Sequence, residues 1–413
     1  MKKIFTLALF LASVLFAFSA NQPYFIGKCN KDALSYKIGE KMTFSVNLVD
    51  KDGNILEGQK LKWTLTKDYS PDVKEGELVS SKEPFVLSTQ MDAPGFARLT
   101  VVPVDDNGKR VKNMDIFDAS ACAGFDYIRQ ITPEPKDYDA FWNKQLAELN
   151  KVPIKCDRKE VEGKEGYKTY ILTIDCVGTP AKAWLTIPKN AKPNSLGIIM
   201  NVHGYGVGLI KPVYYPYAIS LSVERHSYEL NQSKEYYDAQ SKRLRSFGLR
   251  KNINKNPENN YFKNMILRDI RALQYTKTLP EWNKKDITVF GGSMGGFQAI
   301  FVASLDKDIT KCGAAVPWMC NLNAENEGKL KSHFKPDCIP EILYFDSTNA
   351  VKRVKCPICI TARLGDFGCP PSSITILYHN AKNATLEFEF NGGHTYKSPW
   401  KENPVSKKTK SEK

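Results

Sequence analysis

Histidine is scarce in this sequence, so an imidazole base can come from only five residues among 413. Beyond the first twenty residues there is no apolar run of the roughly 20 residues that a transmembrane helix needs, so membrane insertion is not expected. The pair Cys356 and Cys359 has no second pair at matching spacing, as a structural zinc site would require. It lies in an apolar stretch and not at the start of a helix, which disfavours a thioredoxin-type redox pair.

The first twenty residues have the layout of a secretory signal peptide. Lys2 and Lys3 precede the apolar run Ile4–Phe18, and small residues follow it. We therefore predict that residues 1–20 are removed and that the mature protein is secreted or periplasmic. No cysteine lies near the cleavage position, so a lipid anchor is not indicated.

The chain carries a net charge of +14. A basic excess can indicate binding to nucleic acid, but the lysines are spread along the chain except at Lys407–Lys410. A solvated basic surface is the better interpretation, and no nucleic-acid partner is predicted. Residues 401–413 lack apolar periodicity and are predicted to form a basic, disordered tail.

Residues 21–125 are predicted to form an all-β, immunoglobulin-like sandwich domain. Polar and apolar side chains alternate in Lys41–Leu48 and Lys60–Lys67, with turn-forming residues between such runs. Cys29 and Cys122 lie near the two ends of this module. Because the signal peptide implies export, a disulfide bond between them is a hypothesis, and two buried free thiols are the alternative.

Residues 126–400 are predicted to form an α/β domain, with a mostly parallel sheet and helices on both faces. Apolar strands such as Gly197–Val202 and Asp286–Phe290 alternate with helical stretches such as Tyr261–Leu279. That alternation is typical of parallel sheets covered by helices.

Ser293 is the candidate nucleophile. It is the centre of Gly291–Gly295 (GGSMG), which fits the G-x-S-x-G elbow of the α/β-hydrolase fold. A predicted strand precedes the motif and a predicted helix follows it. Flanking side chains would clash in so tight a turn, which explains the glycines. The alternative is a glycine-rich helix start without chemistry.

His394 is the candidate general base. In this fold the acid and the histidine follow the serine along the chain, and three histidines do so. His394 follows the last predicted strand in a flexible turn, whereas His379 lies in a predicted helix and His333 in a polar insertion. Asp366 follows the preceding strand and would fix the tautomer of the histidine. The alternative interpretation of Asp366 is an ordinary aspartate in a turn.

The segment His203–Gly206 follows an earlier predicted strand. In this fold that loop supplies one backbone donor to an oxyanion hole, and the residue after the serine supplies the other. We therefore predict the amides of Tyr205 and Met294 as the donors, and we interpret His203 as a structural residue.

Together these motifs resemble the acetyl xylan esterase and cephalosporin C deacetylase family, carbohydrate esterase family seven. The resemblance runs from about Pro133 to Pro399, outside the N-terminal module. Its most specific segment is Leu364–Ser372 (LGDFGCPPS), which independently selects Asp366.

Three positions depart from the family pattern. Arg225–Ser227 (RHS) stands where the family usually has Arg-Gly-Gln, Met294 stands where Gln is common, and Thr395 stands where Glu is common. These departures leave the candidate triad intact, but they weaken any transfer of substrate preference.

The resemblance implies a secreted serine esterase that removes acetyl groups from plant-cell-wall saccharides, such as xylan fragments, through an acyl-enzyme. No metal or cofactor is expected. The alternatives are a serine hydrolase of another acyl group, such as an aromatic ester or a peptide, and a non-catalytic carbohydrate-binding protein with a relic elbow. Because the N-terminal module contains no candidate catalytic residue, residues from Pro133 onward are expected to hydrolyse small esters alone. The module itself is expected either to position the enzyme on polymer or to pack against the catalytic domain. The oligomeric state stays open.

Overall fold

The computed structural model describes residues 22–244, 248–249 and 254–411. Its N-terminal part contains two antiparallel sheets, with strand orders β1-β2-β5 and β4-β3-β6-β7. The strands are β1 (Tyr24–Cys29), β2 (Met42–Val49), β3 (Lys60–Lys67), β4 (Lys74–Val79), β5 (Phe85–Thr89), β6 (Gly95–Pro103) and β7 (Phe117–Ala123). Strands are therefore present where the sequence predicts them, and the immunoglobulin-like description stays a prediction.

Alternating burial explains most of these strands. In β2, Phe44 and Val46 are buried while Ser45 and Asn47 are partly exposed, as expected when one face of a sheet meets the core. Strand β7 differs, because all seven of its residues are buried. A strand loses its alternation when both of its faces are covered, and here part of that cover comes from the domain that follows.

The second domain is built on one large mixed sheet, with the strand order β17-β16-β15-β14-β13-β11-β12-β10-β9-β8 within the described residues. Its strands are β8 (Cys156–Val161), β9 (Tyr167–Ile174), β10 (Ala181–Pro188), β11 (Leu196–Val202), β12 (Ala218–Glu224), β13 (Trp282–Gly292), β14 (Lys311–Ala315), β15 (Ile358–Arg363), β16 (Ala384–Glu389) and β17 (Val405–Lys410). The α-helices are α1 (Tyr138–Lys151), α2 (Lys234–Arg243), α3 (Tyr261–Thr276), α4 (Met294–Leu305), α5 (Ser347–Ala350) and α6 (Pro371–Asn380).

The central strands of this sheet are parallel, from β12 through β11, β13, β14 and β15 to β16. Parallel strands bring their carboxyl ends to one edge, where open α/β sheets usually bind ligands. The segments that follow β11, β13, β15 and β16 contain His203, Ser293, Asp366 and His394 in that order. The sheet therefore directs all four to one edge.

The prediction of a disordered tail is wrong for Val405–Lys410. This segment is β17, which pairs with β16 in antiparallel register. An edge strand needs only its backbone to pair, so polar side chains are tolerated there. Lys407 binds Glu387 at 2.8 Å, and the ammonium of Lys408 lies 5.1 Å from the ring centre of Phe125.

All ten cysteines are free thiols in the structure, so the proposed Cys29–Cys122 bond is not present. The two residues lie in different sheets, Cys29 opposite Phe44 and Cys122 opposite Phe96. In the part of the chain that the structure describes, no helix combines the length and the apolar character needed to cross a bilayer. The predicted signal peptide lies outside the described residues.

Candidate active site

Ser293 stands in the turn between β13 and α4 with a positive φ of 57°, which residues other than glycine rarely adopt. The turn is crowded by the end of β11. A methyl group on Gly291 would lie 2.6 Å from the carbonyl oxygen of Val202, and one on Gly295 would lie 2.5 Å from the same atom. Glycine is thus required on both sides of the serine by close backbone approach.

Three side chains meet at the carboxyl edge of the sheet. Ser293 Oγ lies 2.9 Å from His394 Nε2, and His394 Nδ1 lies 2.9 Å from Asp366 Oδ2. The side chain of His394 is 29% exposed, whereas that of Asp366 is fully buried. The structure therefore brings together the three residues that the sequence selects, in hydrogen-bonding order.

Asp366 is held in one orientation by its own loop. Its Oδ1 accepts the backbone N–H groups of Gly368 and Cys369, both at 2.9 Å, which leaves Oδ2 for His394. In this arrangement the carboxylate favours a proton on Nδ1 of His394, and Nε2 is then free to accept a proton from Ser293.

The thiol of Cys369 is a neighbour that the sequence analysis did not consider. Its sulfur and the ligand atoms of Asp366 and His394 lie within 4.8 Å of one another. Burial raises the pKa of Cys369 well above its ordinary value, so the thiol stays protonated and is not a competing nucleophile. Among the described residues these three form the one group that could hold a metal ion, and the metal-free site stays a prediction.

The segment His203–Gly206 lies against the serine turn. A methyl group on Gly204 would be 3.9 Å from Ser293 Cβ. Met294 begins α4, and the first amides of a helix have no acceptor within it. The loop and the helix start therefore both adjoin Ser293, while the donor roles of Tyr205 and Met294 stay predictions.

Two residues that the sequence noted only as a departure brace this loop. Arg225 and His226 both bind the carbonyl oxygen of Gly206, the latter through Nε2 at 3.2 Å. Burial lowers the pKa of His226 to about 3, so the ring is neutral at ordinary pH. Its Nε2–H then donates to Gly206, and its Nδ1 accepts from the hydroxyl of Tyr261.

The other histidines take no part in this hydrogen-bonded chain. Desolvation of the His203 ring lowers its pKa to about 3, as suits a structural residue. His379 bonds the carbonyl oxygen of Ile128 at 2.7 Å. His333 lies on the insertion and is bound through its backbone N–H to Phe367 O.

A cluster of aromatic side chains is joined to the serine turn through the backbone of Trp318. The backbone N–H of Trp318 donates to Ser293 O at 3.1 Å. The Trp318 ring stacks on Phe334, whose ring centre lies 4.8 Å from that of Tyr205. Tyr205 and Phe334 are each more than one third exposed, so part of this aromatic cluster is accessible to solvent.

Comparison with known proteins decides the family of this chain. A family model described as acetyl xylan esterase (AXE1) matches residues 114–409, which is most of the chain. The chain belongs to the acetyl xylan esterase family. As a member of that family, it is a carboxylic ester hydrolase.

Named relatives agree with this assignment. The chain is similar to the acetyl esterase Axe7A of Xylanibacter ruminicola, with 26% identity over 411 residues that cover 92% of this chain and 89% of that protein. That alignment therefore includes most of the N-terminal module.

Solved acetyl xylan esterases share the fold. The structure from Paenibacillus sp. R4 has a TM-score of 0.52 at 22% identity, over 65% of this chain and 93% of that one. Acetyl xylan esterase 1 from Thermoanaerobacterium sp. JW/SL YS485 has a TM-score of 0.53 at 18% identity, over 67% and 93%. These similarities confirm the α/β-hydrolase prediction for the second domain.

Proposed function

We propose that this esterase removes acetyl groups from plant-cell-wall saccharides, xylan fragments in particular, through an acyl-enzyme on Ser293. The observation that carries the mechanism is the continuous pair of 2.9 Å contacts from Ser293 through His394 to Asp366. The substrate class is supported by the family match and by the names of the relatives.

In the first half of the reaction, Ser293 Oγ attacks the acetyl carbonyl carbon and its proton passes to Nε2 of His394. The carbonyl oxygen becomes negative and is stabilised by the amides of Tyr205 and Met294. Collapse of this intermediate breaks the ester bond, and His394 gives its proton to the leaving sugar oxygen.

In the second half, water attacks the acetyl group on Ser293 while Nε2 of His394 accepts one of its protons. Acetate leaves, and the proton returns to Ser293 Oγ. Throughout, Asp366 keeps the imidazole in the required tautomer and stabilises its cationic form. Every step uses side chains and amides of this chain.

The decisive experiment compares the wild type with Ser293→Ala on 4-nitrophenyl acetate, butyrate, a feruloyl ester and acetylated xylo-oligosaccharides. We expect kcat of the variant to fall by roughly four to six orders of magnitude, since triad members act as a unit. If the variant still hydrolyses 4-nitrophenyl acetate at a rate close to that of the wild type, the assignment of Ser293 as the nucleophile is wrong. A wild type that prefers butyryl or feruloyl groups would refute the acetyl assignment, and activity on no ester would favour a binding protein.

We also propose that the mature protein begins near Asn21 and is exported. The charged start, apolar run and small residues of the first twenty positions support this. N-terminal sequencing of the protein isolated from its host tests it, and an intact Met1 would refute it.

A further inference from the structure

Strand β7 of the N-terminal module contacts both loops of the candidate triad. Ser120 Oγ donates to the carbonyl oxygen of Leu364 at 2.6 Å, two residues before Asp366. The backbone N–H of Gly392 donates to Asp118 O at 3.1 Å, two residues before His394. One strand of the first domain therefore supports the acid and the base of the second.

The two loops are also joined to each other beneath the triad. Gly365 N–H donates to Gly392 O at 3.1 Å. A methyl group on Gly365 would lie 2.1 Å from Asp118 O, so the acid loop is packed against β7 without room for a side chain. The spacing of the loops is thus set at the point where both meet Asp118.

An ion pair between the largely buried Arg98 and the buried Asp118 fixes this point. Arg98 on β6 donates to both carboxylate oxygens of Asp118, at 2.8 and 2.6 Å. The guanidinium also lies 3.9 Å from the ring centre of Phe367, the residue after Asp366. The backbone N–H of Asp118 donates to the side chain of Asn391 at 3.0 Å. Asp118 therefore links the module to both catalytic loops.

Stability alone is a poor explanation for this pair. Removing two charges from water costs about as much as their attraction returns, and apolar replacements of buried pairs are often neutral or better. A planar guanidinium that binds a carboxylate through two parallel bonds does, however, restrict the geometry of both partners. The pair suits a task that requires fixed distances.

We propose that Arg98 and Asp118 are a positioning pair, which sets the distance between Asp366 and His394 and makes the N-terminal module an integral part of the esterase site. Neither residue touches the substrate. This inference rests on the proposed function of Ser293, Asp366 and His394.

The test uses Asp118→Asn and Arg98→Met in the full chain, with kcat and KM for 4-nitrophenyl acetate measured at neutral pH, where Asp118 is ionised. We expect kcat to fall by roughly 10- to 100-fold, the cost of small misplacements in an active site, while KM stays within about threefold. The loss is expected in kcat and not in KM because the pair positions Asp366 and His394 without touching the substrate.

A loss of kcat in both variants separates positioning from a simple charge effect. At neutral pH the two variants remove charges of opposite sign, so a purely electrostatic influence on the reaction would change kcat in opposite directions. Opposite changes of kcat, or unchanged kcat, would overturn the proposal. Ser120→Ala provides a milder third variant if either substitution prevents folding, and it should lower kcat in the same way.

Leu61→Ala is the matched control, since Leu61 is a buried residue of the same module on β3. It should lower the melting temperature but leave kcat unchanged; an equal loss of kcat would mean that general destabilisation explains the effect. Ser293→Ala is measured in parallel. If it stays active the proposed function fails, and if it is inactive while Asp118→Asn equals the wild type, only the positioning role fails.

Discussion

Replacing Asp366 by asparagine tests the order of the candidate triad. Oδ1 of Asp366 accepts two backbone N–H groups, from Gly368 and Cys369. The amide oxygen of the variant must take this place, because an NH₂ group there would face two donors. The NH₂ group then faces Nδ1 of His394, which must accept. His394 is left with its proton on Nε2 and cannot take the proton of Ser293.

The magnitude follows from the cost of turning the amide around. Turning it would leave two buried N–H donors unpaired, at about 1–3 kcal/mol each. A total of about 2–6 kcal/mol corresponds to roughly 30-fold to 10⁴-fold in rate. Loss of the carboxylate charge also removes stabilisation from the imidazolium that forms on His394 during the reaction. We therefore expect kcat to fall about 10⁴-fold, as in serine-protease triads.

The assay is hydrolysis of 4-nitrophenyl acetate under saturating substrate, with circular dichroism to verify folding. The matched control is His379→Ala, since His379 bonds Ile128 and lies outside the hydrogen-bonded chain; its kcat should stay within a few-fold of the wild type. A folded Asp366→Asn variant with kcat within tenfold of the wild type would show that Asp366 does not orient the base.

Two further predictions concern Asp118 and the cysteines. Burial raises the pKa of Asp118 from 3.8 to about 6, so the folded protein keeps a proton that the unfolded chain has already released. The contribution of this bound proton to the free energy of unfolding is fully present below about pH 4 and is lost as the pH rises through about 6. The melting temperature of the wild type, relative to Asp118→Asn, should therefore be higher at pH 5 than at pH 7.5; a constant difference would contradict the raised pKa. For the cysteines, alkylation of the denatured, unreduced protein should modify all ten thiols, and mass spectrometry that finds eight, with Cys29 and Cys122 unmodified, would restore the disulfide hypothesis.

Much of the second domain could be predicted because its signals are local. Strand β13 and helix α4 flank the glycine-rich turn as expected, and their boundaries differ from the predicted ones by a few residues at most. The proximity of Ser293, Asp366 and His394 follows from one rule, since each comes after a strand of the same parallel sheet. Local pattern and sheet geometry were sufficient for this part.

The contacts between the domains could not be predicted in this way. Asp118 and Asn391 are 273 residues apart, and no local pattern indicates that they meet. The full burial of β7 also hides its strand character, because both faces are covered. The sequence predicts that residues from Pro133 onward act alone, but the support that Asp118 and Ser120 give to the catalytic loops leads to the opposite expectation.

The tail was difficult for a different reason. Val405–Lys410 has four polar or charged residues after its first two positions, which is typical of solvated ends. Only the presence of the unpaired edge of β16 gives this segment a partner. Its structure depends on a neighbour and not on its own composition.

The long separation between β7 and the loops that cover it has a consequence for synthesis. Ser120 is synthesised 244 residues before Leu364, and Asp118 is synthesised 273 residues before Asn391. At the usual 5–20 residues per second, the ribosome needs about 14–55 s to deliver the later partner. A first domain that folded within that interval would expose the face of β7 that the loops of the second domain later cover. Arg98 and Asp118 would then be hydrated charges at that face, and since β7 ends its sheet, charges there would disfavour its pairing with other chains.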